Sequence, residues 1–178
     1  MNQRTTAYSR ALARLTAACG LVFLALPWLA CGGSGGGSSP TDPGVVHEAE
    51  IEFLSFDLVN QARRDQGIEP PLIFDSGLSD VARSYSEAMR DRGFFAHVDP
   101  DGHDVGYRLH QAGVIYSVVG ENLARVDDSG DPARFAHNGF LNNPPHRANM
   151  LDPRFTRAGV GVARRGGTYW ITQLYVRR

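Results

Sequence analysis

The sequence predicts an α+β domain in which helices cover an antiparallel sheet. Two observations predict it, and a third bounds how its core is held. Apolar residues recur at helical spacing through the first part of the folded region. The stretch "AGVGVARRGGTYWITQLYV" near the C-terminus then changes period, with two short β runs around "RRGG". The only cysteines are Cys19 and Cys31, both early, so this core must hold without a disulfide.

The first helix is expected over about His47 to Gln66, with Ile51, Leu54, Leu58 and Ala62 on one stripe and Gly67 as the terminating residue. "IEPPLIF" is a proline-led link. Asp75 caps a second helix that runs to Arg92, with Leu78, Val81, Ala82, Tyr85, Ala88 and Met89 inward and Gly93 ending it. A third, shorter helix covers about Val105 to Ala112 and stops at Gly113. A fourth has Asp131 as cap and Pro132 in its first turn, with Ala136 and Phe140 inward, and stops at Pro144. "VIYSVVGENLARV" is strand-like, rich in β-branched residues around Gly120. The closing hairpin completes the set.

Not all 178 residues belong to that domain. Residues 1–31 read as a signal peptide, with Arg4, Arg10 and Arg14 preceding the apolar run "AACGLVFLALPWLA". That run is short and wrongly flanked for a transmembrane helix. Cys31 closes it after Leu29 and Ala30, which resembles a bacterial lipobox, although Trp28 stands where that motif prefers leucine. Cleavage before Cys31 and its lipidation would anchor the chain to a membrane. Residues 32–45 are Gly, Ser and Pro-rich, the composition of a flexible spacer. The domain then occupies residues 46–178.

Charge and composition exclude several classes. Beyond residue 31 there remain 15 arginines and no lysine against 19 acids, a net charge of −4. Nucleic-acid binding needs a concentrated basic face, so none is expected. Without cysteine the domain has no thiol nucleophile and no cysteine-ligated zinc. Ser79, Ser84 and Ser86 lie on a helix with no adjacent base, which argues against a serine hydrolase. "DPDGHD" shares its opening with a calcium loop but lacks the closing bidentate glutamate, and reads as a turn.

Three polar residues sit among apolar or turn-forming neighbours: His97 in "GFFAHVDPDGHD", Glu121 in "VVGENLA" and His146 in "NNPPHRANML". A buried carboxylate is costly without a partner, and a histidine would serve Glu121. Two histidines and a carboxylate suit a divalent metal or acid–base work. Taken singly, each also suits a histidine bonded to backbone, or a glutamate that locks two loops. His47, His103, His110 and His137 read as ordinary surface or helix histidines.

These stretches resemble the CAP superfamily, the SCP-like extracellular domain, in its bacterial branch. "LVNQARRDQGIEPPLIFDSGLSDVARSYSEAM" is similar to that branch's first two helices, "FFAH" to its phenylalanine-x-histidine motif and "GENLA" to its glycine–glutamate–asparagine motif. "NNPPHRANML" resembles its proline–glycine–histidine–arginine motif, with Pro145 in place of glycine, and "GVGVA…YWITQLY" its closing strands. The resemblance implies a three-layer α-β-α sandwich with a central antiparallel sheet. It also implies a cleft where His97, Glu121 and His146 converge, sometimes around a divalent cation. The second cleft histidine of eukaryotic members is replaced by Trp170, and no second cleft glutamate is identifiable.

The expectation is therefore a cell-envelope-anchored, extracytoplasmic binding domain. Its ligand would be a lipid, glycan or peptide, with a divalent cation, zinc before magnesium, as an option at His97, Glu121 and His146. No catalytic residue is assigned. The alternative is a metal-assisted hydrolase acting on an envelope polymer or peptide, for which three candidate groups leave either a ligand or a base missing. Pro144 and Pro145 are expected to end the fourth helix and throw His146 into the cleft. Arg147 is read as a fork pinning loop carbonyls, and Asn122 as a loop-fixing side chain.

Overall fold

The computed structural model describes residues 48–127 and 130–178. The signal peptide, Cys31, the spacer and His47 lie outside the described residues. In chain order the elements are α1 (Glu48–Asp65), β1 (Ile73–Phe74), α2 (Ser76–Arg92), α3 (Val105–Gln111), β2 (Val118–Asp127), α4 (Pro132–Asn142), α5 (Pro144–Leu151), β3 (Arg157–Arg165) and β4 (Thr168–Arg177).

The caps explain the boundaries. Asp75 and Asp131 accept from the amides of Leu78 and Arg134, as expected, and Asp104 does the same for Tyr107 at the start of α3. Gly93 ends α2 at φ 70°, in the left-handed region that glycine adopts without strain.

The strands form one sheet in the order β1-β3-β4-β2. β3 and β4 are the expected hairpin, and β2 pairs antiparallel with β4 from Val118↔Arg177 to Asp127↔Thr168. β1, a two-residue strand in the proline-led link, adds a parallel pairing, Ile73↔Arg157, that makes the sheet mixed at one edge. Two apolar residues carry too little periodicity to announce a strand.

Helices lie on both faces, as the α-β-α architecture requires. One face packs α1, α4 and α5 through Ile51, Val59, Phe140 and Met150 onto Val160, Val162, Ile171 and Tyr175. The other packs α2 and α3 through Leu78, Ala82 and Leu109 onto Leu174 and Val176. α2 lies so close to β3 that a Cβ at Gly161 would come within 1.9 Å of the Arg83 amide nitrogen. Trp170 is buried in a cluster with Tyr85, Met89 and Leu123, so it serves as core where eukaryotic members place a cleft histidine.

Three local expectations need correction. The buried face of α1 runs through Ile51, Ser55, Val59 and Arg63, and Leu54 and Leu58 are only half-buried beside it. Period alone misplaces the stripe because polar Glu52, Asn60 and Arg63 are also buried there. Glu52 accepts from the Val162 amide, Asn60 exchanges two hydrogen bonds with the Leu72 main chain, and Arg63 is partnered through its terminal nitrogens while its Nε has no partner among the described residues. Next, the proline pair ends α4 but also begins α5, with Asn143 as cap accepting from the His146 amide at 3.4 Å. Proline suits a first helical turn, where its missing N–H would be unpaired anyway. Finally, the pinning fork is Arg63, not the exposed Arg147. Arg63 donates to the carbonyls of Met150 at 3.1 Å and Asp152 at 2.9 Å, and burial holds its pKa down. Among the described residues no helix is long and apolar enough to cross a membrane.

Candidate functional site

His97, Glu121 and His146 come from three segments. His97 follows the turn after α2. Glu121 lies on β2, directly behind Gly120, where a Cβ would meet Phe155 Cζ at 2.8 Å and Asn149 Oδ1 at 3.0 Å. The third residue of α5 is His146.

The structure joins the first two directly. His97 Nδ1 lies 2.8 Å from Glu121 Oε1, with the Glu121 side chain 3% and the His97 side chain 56% exposed. An ionised carboxylate only accepts, so Nδ1 carries the proton and Nε2 is left as the free nitrogen. The second carboxylate oxygen is taken by Arg108, from α3, whose guanidinium pairs with Glu121 Oε2. Arg108 also stacks 3.3 Å above the Tyr85 ring centroid and donates to the carbonyls of His97 at 3.3 Å and His103 at 3.2 Å. One side chain thus ties α2, α3, β2 and the His97 loop together.

Sequence reasoning missed Arg108. It supplied Glu121 with a histidine partner but had no reason to choose this arginine among 15. The available signal was indirect: a carboxylate in an apolar run needs full compensation, and an exposed histidine gives only half of it.

His146 is held through its main chain. Asn122 Nδ2 donates to the His146 carbonyl at 3.1 Å, and Asn149 Nδ2 donates to Asn122 Oδ1 at 2.9 Å and to the Glu121 carbonyl at 3.0 Å. Asn122 therefore fixes loops, as expected, with Gln173 and Tyr175 buried behind it. The His146 ring sits edge-on to Phe140 at 5.2 Å. Its pKa is lowered, first by burial and then by the charge of His97. The Glu121 carboxylate is turned toward His97 and Arg108.

The donor geometry bears on metal binding. Arg108 holds a positive charge against Glu121, so a cation at that carboxylate would meet a guanidinium. Glu121 fits the role of an outer partner that orients the His97 ring, and the imidazoles of His97 and His146 remain as donors. Among the described residues, the three-residue group whose donor atoms all lie within 4.8 Å of one another is Asp99, Asp101 and His103. These belong to "DPDGHD", which forms the expected turn: Asp99 Oδ1 accepts the amides of Asp101 and His103, and Asp101 pairs with Arg92 at 2.7 Å.

His137, read as a surface or helix histidine, is buried. Its Nδ1 has no partner among the described residues, and its pKa is lowered by burial and then by Arg134.

Comparison with known proteins gives the family and the fold. The family described as CAP, cysteine-rich secretory protein family, matches residues 56–175. The chain belongs to the CAP family. The YkwD protein of Bacillus subtilis (strain 168) is 33% identical over 136 residues, covering 76% of this chain and 49% of that protein. The membrane protein YlbC of the same organism is 34% identical over 122 residues, covering 68% of this chain and 33% of that protein. The CAP domain thus spans half or less of these curated relatives. An extracellular SCP-domain protein from Bacillus anthracis has a crystal structure matching at TM-score 0.66 and 33% identity, covering 79% of this chain and 45% of that one. An outer surface protein of Borrelia burgdorferi matches at TM-score 0.67 and 18% identity, over 75% of this chain and 96% of that one, which shows the shared fold.

Proposed function

We propose that this CAP domain is an exported binding module, tethered to a bacterial cell envelope through Cys31, whose cleft takes a lipid, glycan or peptide ligand. The observation that carries the reading is the saturation of Glu121. Both carboxylate oxygens are engaged, one by His97 and one by Arg108, so the residue best suited to act as a base is committed to holding loops. A general base must reach the proton it takes. The groups left facing solvent are the free nitrogen of His97 and the half-buried His146 ring, which offer hydrogen bonds and an aromatic edge. The leader, the lipobox-like end and the spacer support the tether, and the extracellular SCP protein of Bacillus anthracis supports an exported setting.

The metal-assisted alternative keeps one supporting observation: the carboxylate on Nδ1 orients His97 as metal-bound imidazoles are oriented. Zinc held by His97 and His146 would supply Lewis acidity to a bound carbonyl or phosphoryl oxygen. Glu121, clamped by Arg108, is unsuited to serve it as base or ligand, so binding is preferred.

The test follows the imidazoles. Protein labelled at histidine is titrated with envelope lipid vesicles, soluble glycan fragments and peptides, each with and without zinc chloride. At least one class should move the His97 and His146 resonances together, and His97→Ala should abolish the response. If every class leaves both rings unmoved, the cleft is not a binding site.

A further inference from the structure

We infer that the open edge of β2 is a strand-addition site for an extended peptide with apolar residues flanking an acidic one. The inference rests on the binding reading above and names its ligand class.

Main-chain direction along β2 is fixed twice over. The Glu121 carbonyl is reached by Asn149, so it points away from β4. The Val176 carbonyl is taken by the Thr156 amide on the β3 side, so its partner Val119 also points outward. Both groups of a residue in an antiparallel strand share one side, and the sides alternate. Leu123 and Arg125 therefore direct their N–H and C=O groups to the outer edge. β2 is the last strand of the sheet, and among the described residues no hydrogen bond reaches those four groups.

The opposite edge is treated differently. Beyond the short β1, the outward amides of Val160 and Val162 are sealed by Ser79 Oγ at 3.1 Å and Glu52 Oε1 at 3.0 Å. An open strand edge is a liability that proteins cover or block. This chain covers one edge with buried side chains and leaves four groups of the other available.

A groove of about 260 Å³ runs along that edge. Leu123 and Arg125 line it from one face of the sheet and Ala124 and Val126 from the other, which happens only where a groove follows the strand's edge. Phe95 and Phe135 wall it, 46% and 60% exposed, and His146 also lines it. Gly139 faces it from the middle of α4, with nothing within 4 Å of a built Cβ. Glycine inside a helix is unfavourable, and no close contact demands it here. What its missing side chain provides is open space in the groove.

The occupant follows from these walls. A second copy would bring its own Phe95 and Phe135 against these, whereas a free-ended strand fits between them. A glycan has no ladder of alternating amides and carbonyls to pair with Leu123 and Arg125. Arg125 is exposed, lies 5.6 Å from the Trp170 ring, and forms no ion pair among the described residues. The strand residue opposite it should be acidic. Those opposite Leu123, Ala124 and Val126 should be apolar.

Two blocked hexapeptides, Ser-Val-Phe-Glu-Val-Ser and its reverse, test this by amide NMR and calorimetry on the full chain. At least one should bind, shifting Leu123, Arg125, Phe135 and Gly139. N-methylation of one alternate set of its amides should weaken binding about tenfold or more, and of the other set about twofold or less, because only one set faces the edge. Gly139→Leu should weaken binding about tenfold with an unchanged circular dichroism spectrum, since it fills the groove without a clash. Arg125→Ser should weaken the glutamate peptide and spare its glutamine analogue. No binding by either peptide at millimolar concentration, equal effects of both methylation sets, or indifference to Gly139→Leu overturns strand addition. A lipid or glycan that moves His97 and His146 while the peptides leave Leu123 and Arg125 unshifted keeps the binding reading and removes this one.

Discussion

Replacing Arg108 by methionine should destabilise the domain by about 4 kcal/mol. The Glu121 side chain is 3% exposed and that of Arg108 12%, so the pair is effectively out of water. Removing one member of such a pair leaves the other as an uncompensated buried charge, which costs about 3–5 kcal/mol. The stack on Tyr85, at 3.3 Å from the ring centroid, adds about 1 kcal/mol. Relief of arginine desolvation offsets part of this, and methionine keeps some contact with the ring. The loss would be a large fraction of the roughly 5–15 kcal/mol that holds an ordinary domain. Arg108→Met combined with Glu121→Gln should recover about 2 kcal/mol or more, because the orphaned charge is then gone. Urea unfolding of the four proteins in the cycle measures the coupling. If the two single effects simply add, Glu121 does not depend on Arg108 and the account of the site fails.

Two further outcomes follow from burial. Ile51→Ala should cost about 2–5 kcal/mol and Leu58→Ala about 1 kcal/mol, because Ile51 is fully buried and Leu58 is not; equal shifts in urea midpoint would put the stripe back where period alone places it. His137 and His146 have pKa values below the ordinary histidine value, so the unfolded chain binds more protons than the folded one around and below pH 6.5. Their stability contribution is present above that pH and is lost as pH falls toward their folded pKa values. His137→Phe should flatten the slope of unfolding free energy below about pH 6.5, and an unchanged slope would show that burial does not hold His137 neutral.

Much of this architecture is legible in the residues themselves. Capping aspartates, terminating glycines and the late change of period carry local information, so α2, α4 and the hairpin stand where they are expected. The parts that escape are those whose cause lies far along the chain. Arg63 is an arginine in a helix until Met150 and Asp152 present their carbonyls across 87 and 89 residues. The buried face of α1 escapes for the same reason, since Glu52 and Asn60 become core residues only when β3 and Leu72 arrive to satisfy them. His97 and Glu121 can be paired from sequence because a buried carboxylate demands a partner. That demand names a chemical type, and the position that meets it, Arg108, is set by tertiary packing.

The cost of burying Glu121 says something about its purpose. A buried ion pair contributes little net stability, because desolvation consumes most of the Coulombic gain and an apolar pair of similar size would serve as well. Its advantage is geometric. A guanidinium accepts few arrangements, and Arg108 satisfies Glu121, the His97 carbonyl, the His103 carbonyl and the Tyr85 ring in one. The segment between α2 and α3 has no strand to hold it; it is held by this contact, the Asp99 turn, the Arg92–Asp101 pair and the Tyr85 hydroxyl, which donates to the Ala96 carbonyl. Apolar side chains there would bury comparable area but leave the His97 ring free to rotate. The pair therefore keeps His97 Nε2 in a fixed direction, the preorganisation that the proposed binding role requires.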